Sequence, residues 1–261
     1  MSEAATAGAR TPVTLVLRVP ARLAAVAEDS LLSIAAQSPA PDRVLIAPDG
    51  LGDETARGLA ELARDFRPLL PDSAVQFVHD PRFERTVERL AAEEGVAGVL
   101  RSGDVLFGHW CRTVRLALAW QPGARLVRMR FARQPTRLEQ GPSGPAPFAT
   151  AGPVRPYANH YDPARHREHM QTPASAVAWR TEAAAGLAGG GEDPRDVVWR
   201  VLERAAAGPI VERPEITSLV RAWDEAEWRA FEHDAMEPGA VVAAPGRARR
   251  ARERLRRLLR R

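Results

Sequence analysis

The feature that most constrains this chain is a regular alternation of short apolar runs with amphipathic stretches. Residues 13–19 (VTLVLRV) form a nearly continuous apolar run, which is typical of a strand buried on both faces of a parallel sheet. Apolar residues then recur at helical spacing from Leu23 to Ile34, and this pattern ends before Pro39. Repeated alternation predicts right-handed crossovers and a ligand crevice at the carboxyl ends of the strands.

The same pattern continues along the chain and predicts an α/β fold, with an open and mostly parallel sheet flanked by helices. We predict further strands at residues 43–47, 75–78, 96–100, 125–133, 174–179 and 210–211, and helices at residues 53–66, 84–94 and 108–120, with another ending at Arg204. Residues 134–156 are rich in proline and glycine. That composition predicts a long loop, partly disordered, of the kind that often covers an active site.

Composition limits the class of protein. The 261 residues are 45% hydrophobic and 27% charged, as in a soluble globular protein. A single cysteine, Cys111, excludes an internal disulfide framework and a multi-cysteine zinc site. The first 11 residues are small and polar, which predicts a disordered start without a secretory signal. No apolar run reaches the roughly 20 residues of a membrane span, so we expect a cytoplasmic protein.

Positive charge is concentrated at the end of the chain. The net charge is +4, but residues 247–261 contain nine arginines and one glutamate. The remainder has 28 basic and 32 acidic residues, a net charge of −4, which argues against a specific nucleic-acid partner. Leu255, Leu258 and Leu259 form a narrow apolar stripe in this tail. Residues 246–261 therefore fit a basic amphipathic helix on an anionic membrane, or equally a solvated helix.

Several short phrases occur in the order seen in one enzyme family. After the first strand the chain reads SIAAQSP (33–39), and after the second it reads PDGLGDET (48–55). RSGDVL (101–106) follows the fourth strand, and GGED (190–193) precedes a helix containing Trp199 and Arg200, with Pro214 and Glu215 beyond it. In order and spacing these phrases resemble family 2 glycosyltransferases of the GT-A fold. The resemblance covers about residues 13–220.

The resemblance implies specific roles for residues of this chain. Asp49 would contact the nucleobase or ribose of a UDP-, GDP- or dTDP-sugar, while Arg101 and Asp104 would lie at its diphosphate. Asp193 would be the general base of an inverting transfer, with Glu192 orienting the base or the acceptor. The family also holds Mg or Mn at an aspartate cluster after the fourth strand, and here Asp104 is the one carboxylate that would bind it.

The chain departs from the family pattern at three positions. Pro48 replaces the first aspartate of the DDG phrase, and Arg101 and Gly103 replace two of the aspartates expected after the fourth strand. One carboxylate beside an arginine is a poor site for a dication. Three alternatives follow: weak metal binding, neutralisation of the diphosphate by Arg101, or loss of the transfer chemistry.

Each candidate residue also has an ordinary structural interpretation. Asp193 before Pro194 is a common helix start, and Asp49 fits a Pro-Asp-Gly turn without a ligand. Arg101 and Asp104 fit a polar turn. Glu192 fits a solvated acid in a loop. Arg18, at the end of the first strand, could help to hold phosphate, but in a chain whose basic residues are all arginine an exposed surface position is the preferred interpretation.

A histidine cluster and the domain boundaries complete the sequence-based predictions. His160, His166 and His169 have a spacing that suits zinc, although a solvated loop or a sugar contact fits them better. We place the transferase domain at residues 12–220 and a C-terminal extension at residues 221–245.

The resemblance implies inverting transfer of a sugar from a nucleotide-diphospho-sugar to a saccharide or lipid-linked acceptor. The basic tail predicts a peripheral position on the inner membrane face. The alternative is a catalytically inactive sugar-nucleotide or glycan binding module, recruited to the membrane by the same tail.

Overall fold

The structure is a computed structural model that describes residues 11–80, 82–141, 144–157, 172–187 and 197–223, with the backbone alone for 138–141 and 144–148. The strands are β1 (Val13–Pro20), β2 (Arg43–Asp49), β3 (Ala74–Phe77), β4 (Val96–Arg101), β5 (Val105–Leu106), β6 (Leu126–Gly141), β7 (Gly144–Thr150), β8 (Arg155–Tyr157), β9 (Val177–Arg180) and β10 (Ile210–Ala222). The helices are α1 (Ala27–Ala35), α2 (Asp53–Phe66), α3 (Phe83–Leu90), α4 (Trp110–Trp120) and α5 (Val197–Ala205).

The strands lie in the order β3-β2-β1-β4-β9-β6-β10-β5, and β7 and β8 pair with β6. Neighbours β3, β2, β1 and β4 are parallel, as are β6 and β10. Strand β9 is antiparallel to both β4 and β6. The carboxyl ends of β1, β2, β4 and β10 therefore lie along one edge of the sheet, which we call the carboxyl edge.

Helices cover both faces of the sheet, because the residues of β1 alternate between two hydrophobic clusters. Leu15 and Leu17 belong to a core that includes residues of α1, α2 and α4. Val16 belongs to a second core with residues of α3 and α5. The continuous apolar run of β1 is thus buried on both sides, which confirms the predicted doubly covered sheet.

The sequence-based prediction was wrong for residues 134–156. Instead of a loop, β6 continues to Gly141 and returns as β7, and β8 pairs with β6 a few residues later. Pro135 is compatible with a strand here because its carbonyl still accepts a hydrogen bond, from the Ala151 N–H at 2.8 Å. A proline removes only the donor from a strand ladder.

The last described strand is also longer than predicted. Residues 210–211 were expected to form a short strand, but β10 extends from Ile210 to Ala222. It pairs with β6 along most of its length and with β5 near its end. The predicted domain limit at residue 220 thus falls within this strand. No helix in the described part of the chain is long and apolar enough to cross a membrane.

Candidate functional site

The carboxyl edge brings together charged residues from strands that are distant in the sequence. Arg18 is in register with Ala47 of β2 and with Arg101 of β4. Partners in adjacent parallel strands point to the same face, so Arg18 and Arg101 lie on the face covered by α3 and α5. Asp49, two residues after Ala47, lies on this face as well. Two of the predicted ligand residues, Asp49 and Arg101, therefore lie on this face on either side of Arg18.

Arg18 and Asp49 form the part of this edge that remains accessible to solvent. The Arg18 Nε donates to Asp49 Oδ2 at 2.7 Å, and each side chain is 24% exposed. The Arg18 guanidinium lies 4.7 Å from the centre of the Phe83 ring, which holds the cation by an electrostatic attraction to the ring face. We call Arg18, Asp49 and Arg101, whose side chain is also 24% exposed, the open half of the carboxyl edge.

Asp104 lies in a different environment from the one expected of a ligand. It is 4% exposed, and its Oδ1 accepts hydrogen bonds from the Arg221 backbone N–H at 2.9 Å and from Arg101 Nη2 at 3.4 Å. Burial raises the pKa of the Asp104 carboxyl above its ordinary value, although Arg101 and the Arg221 N–H act in the opposite direction. Asp104 therefore joins the turn after β4 to the end of β10.

Two residues of this network, Arg221 and Asp29, were not predicted from the sequence. Arg221 Nη1 donates to Asp29 Oδ2 at 3.2 Å and to the Gly103 carbonyl at 2.5 Å. The Arg221 carbonyl in turn accepts from Arg101 Nη2 at 2.7 Å. The only local signals were an acid in the first turn of α1 and an arginine that interrupts the apolar end of β10.

Gly103 stands where the family pattern has an aspartate, and the structure leaves no space for a side chain there. Its φ is +90°, and an added Cβ would lie 2.3 Å from Trp223 Cζ2 and 3.0 Å from Val26 Cγ2. Trp223 packs in a small cluster with Leu23 and Val26. We call Gly103, Asp104, Arg221, Trp223 and Asp29 the sealed half of the carboxyl edge.

The polar residues of α1 hold the turn after β4 in place. Ser30 Oγ donates to the Asp104 carbonyl at 2.7 Å and accepts from the Gly103 N–H at 2.8 Å. Ser33 Oγ accepts from the Leu106 N–H at 3.1 Å, and Gln37 Nε2 donates to the Phe107 carbonyl at 3.0 Å. The serine and glutamine of the SIAAQSP phrase thus have a structural function, since they satisfy backbone groups of Leu106 and Phe107, just beyond the turn that carries Asp104.

A cleft of ≈ 430 Å³ lies between α3 and strands β2 and β3, at the β3 edge of the sheet. His79 and Asp80 line the cleft just after the carboxyl end of β3. The Phe77 and His79 rings meet edge to face there, with their centroids 5.2 Å apart. Thr86 also lines the cleft, and its buried hydroxyl has no hydrogen-bond partner among the residues that the structure describes. The cleft combines apolar and polar side chains, as small-molecule pockets do.

Other predicted residues lie outside the part of the chain that the structure describes. These are Glu192 and Asp193, the histidines at 160, 166 and 169, and the tail 247–261. Within the described residues, no group of three or more His, Cys, Asp or Glu side chains is placed to hold a metal ion.

Comparison with known proteins gives structural neighbours only. No protein-family model and no curated protein matches the sequence. S. aureus TarS is similar over 84% of this chain, with a TM-score of 0.52 and 13% identity, and this chain covers 38% of it. The mannosyltransferase PcManGT from Pyrobaculum calidifontis, solved with GDP-Man and Mn2+, is similar over 84% of this chain with a TM-score of 0.51 and 14% identity, and this chain covers 60% of it.

This chain spans less than two thirds of the length of either neighbour. At these identities the likeness concerns the fold and not the substrates. Together with the strand order and the helices on both faces, it identifies the fold as GT-A-like.

Proposed function

We propose that this protein transfers a sugar from a nucleotide-diphospho-sugar to a saccharide or lipid-linked acceptor, with inversion at the anomeric carbon. The observation that carries the proposal is the open half, where Arg18, Asp49 and Arg101 meet on one face at the carboxyl edge. In open α/β sheets, ligands bind outside the carboxyl ends of the strands. The neighbour PcManGT was solved with such a donor, GDP-Man.

We assign binding of the nucleoside to Asp49 and to the side chains that line the cleft beside α3. A carboxylate accepts hydrogen bonds from ring N–H and ribose hydroxyl groups, and the Asp49 side chain is 24% exposed. The Phe77 and His79 rings at the carboxyl end of β3 offer surfaces on which a base can stack. Arg18 and Arg101 carry the positive charge that a diphosphate requires.

Asp193 is the general base in this proposal. Its carboxylate takes the proton of the acceptor hydroxyl while that oxygen attacks the anomeric carbon, and the bond from that carbon to the diphosphate oxygen breaks. The nucleoside diphosphate leaves with the bonding electrons. Glu192 orients the base or the acceptor. In the sequence both residues precede α5, which packs on the same face of the sheet as the open half.

A donor and acceptor screen tests this function. We expect one of a panel of UDP-, GDP- and dTDP-sugars to be hydrolysed or transferred to a saccharide or lipid-linked acceptor. Asp193→Asn should lose this turnover, because an amide cannot take the proton. The exposed residue Asp65 of α2 gives a matched control, and Asp65→Asn should keep full activity. Full activity of Asp193→Asn would remove Asp193 from the mechanism.

A second candidate function is a binding module without transfer activity. The observation that favours it is the sealed half, where Trp223 fills the space beside Gly103 that an aspartate would need. A module of this kind binds nucleotide but turns over no donor with any acceptor in the panel. The same screen, combined with a nucleotide titration, separates the two functions.

We also propose that the basic tail binds the protein to a membrane. Residues 247–261 would hold the protein at the cytoplasmic face of a membrane, beside lipid-linked acceptors. Each arginine near anionic lipid contributes roughly 1 kcal/mol, and salt weakens the attraction. Co-sedimentation with anionic liposomes should fall in high salt and disappear after truncation at Pro245. Equal sedimentation of the full-length and truncated proteins would contradict a role for the tail.

A further inference from the structure

We infer that the diphosphate of the donor is bound by the guanidinium groups of Arg101 and Arg18 and not through a divalent cation. The inference rests on the proposed function, because it assumes that a nucleoside diphosphate binds at the open half. It goes beyond that function by naming the side chains whose positive charge neutralises the diphosphate.

The first argument is the chemistry of the residues after β4. A divalent cation such as Mg or Mn prefers several carboxylate or water oxygens that converge on one point. Here the turn offers one carboxylate, Asp104, which is 4% exposed. Its Oδ1 already accepts two hydrogen bonds from arginine groups. The described residues at this turn do not fit the metal that the fold family implies.

The second argument is that the turn has no space for a further ligand. Trp223 lies 2.3 Å from the position that a Cβ on residue 103 would occupy, and the positive φ of Gly103 also disfavours any other residue. A metal-binding aspartate at this position would require Trp223 to move and the backbone to change. Packing of the end of β10 therefore opposes the family's metal site.

The third argument is the position of Arg101. Its Nη2 donates to the Arg221 carbonyl at 2.7 Å, which fixes the side chain at the carboxyl edge. Arg18 is its register partner on β1 and lies on the same face. Both side chains are 24% exposed. A guanidinium presents a planar fork of N–H groups that matches phosphate oxygens, so two neighbouring forks suit a diphosphate.

Calorimetric titration of the full-length protein with UDP, GDP and dTDP tests the inference, first in EDTA and then in Mn. We expect the affinity for at least one nucleotide to be the same within about twofold under both conditions. Arg101→Ala should weaken binding by about 10- to 100-fold, the range for losing a hydrogen bond to a charged group. Arg101→Lys, which keeps the charge without the fork, should have a smaller effect.

Two further measurements separate a phosphate contact from a structural effect of Arg101. Arg101→Ala should leave the affinity for uridine or guanosine unchanged, because a nucleoside lacks the diphosphate. Arg112→Ala, at an exposed arginine of α4, should leave all affinities unchanged. Equal weakening of nucleoside and nucleotide binding by Arg101→Ala would overturn the inference.

The outcomes also distinguish this inference from the proposed function. Binding that requires Mn would overturn the inference and leave the function standing, with carboxylates elsewhere in the chain as ligands. Absence of binding of UDP, GDP and dTDP in both buffers would overturn both the inference and the proposed function.

Discussion

The two halves of the carboxyl edge are built from the same kinds of side chain but differ in what those side chains do. In the open half the Arg18–Asp49 pair is 24% exposed on both sides. In the sealed half, Asp104 and Arg221 are 4% and 8% exposed. Asp104 accepts from the Arg221 N–H of β10, and Arg221 donates to Gly103 in the turn after β4 and to Asp29 of α1. Arginine and aspartate therefore stabilise the fold in the sealed half, whereas in the open half they remain accessible to the ligand that we propose.

Burial, and not residue type, distinguishes the two acids Asp49 and Asp104. A buried carboxylate must have its hydrogen bonds satisfied within the protein, and Asp104 meets this requirement through Arg101 and the Arg221 N–H. Asp49 has the same functional group but stays in contact with water. The predictions below separate stability effects in the sealed half from binding effects in the open half.

The largest effect is expected in the sealed half. Gly103→Ala should lower the free energy of unfolding by about 2–4 kcal/mol, because the new Cβ meets Trp223 and the residue has a positive φ. Gly123→Ala is a matched control, since nothing lies within 4 Å of its Cβ position and its φ is not positive. Urea unfolding should show little change for the control. Equal stability of the two variants would contradict the packing of Trp223 on Gly103.

A substitution in the open half should change the affinity for nucleotide more than it changes stability. Asp49→Asn should weaken UDP or GDP binding about tenfold or more, while the free energy of unfolding changes by about 1 kcal/mol or less because the ion pair is partly exposed to solvent. Asp42 forms a comparable pair with Arg115 at 2.7 Å, at the opposite end of β2. Asp42→Asn should leave nucleotide affinity unchanged. If Asp42→Asn and Asp49→Asn weakened binding equally, Asp49 would not be a ligand residue.

A smaller effect in the sealed half is expected in the way the free energy of unfolding changes with pH. The folded-state pKa of Asp104 lies above its ordinary value of 3.8 because the carboxyl is buried. The folded state therefore binds more protons than the unfolded state between these two pKa values, so stability falls as pH rises through this window. The slope is at most about 1.4 kcal/mol per pH unit.

Asp104→Asn should remove this contribution. Comparison of urea unfolding for the wild type and the variant, from about pH 4 upward, measures the difference in slope. Identical slopes for the two proteins would show that Asp104 does not titrate as its burial predicts.

The smallest effect concerns the contact that orients Arg18. A double-mutant cycle with Phe83→Leu and Arg18→Ala should give a coupling energy of about 0.5–1 kcal/mol, the range for a guanidinium over an aromatic ring. The cycle is needed because Phe83 is fully buried, so its substitution alone also changes core packing. A coupling energy of zero would contradict the stacked arrangement.

The first half of the fold was predictable from local pattern. Strand β1 and helix α2 were found because a continuous apolar run and an amphipathic period are visible in short windows. The β6–β7 hairpin was missed because its prolines and glycines indicate a loop, whereas its strands are stabilised by pairing between β6, β7 and β10. Pairing between distant segments leaves little local signal.

The site could be predicted only where its residues directly follow strands that the local pattern identifies. Asp49 and Arg101 follow predicted strands, so the shared edge could be expected. The burial of Asp104 and the filling of the space beside Gly103 by Trp223 depend on β10, more than a hundred residues away. Sequence order could not show that this strand returns to the turn after β4.

A crystal structure of the full-length protein grown with UDP or GDP and Mn tests the central claim most directly. The account predicts that the diphosphate oxygens lie within hydrogen-bond distance of the Arg101 and Arg18 guanidinium groups, with Asp104 still bonded to the Arg221 N–H. It also predicts no anomalous Mn signal at the diphosphate. A Mn ion bridging the diphosphate to Asp104, with Trp223 displaced from Gly103, would contradict it.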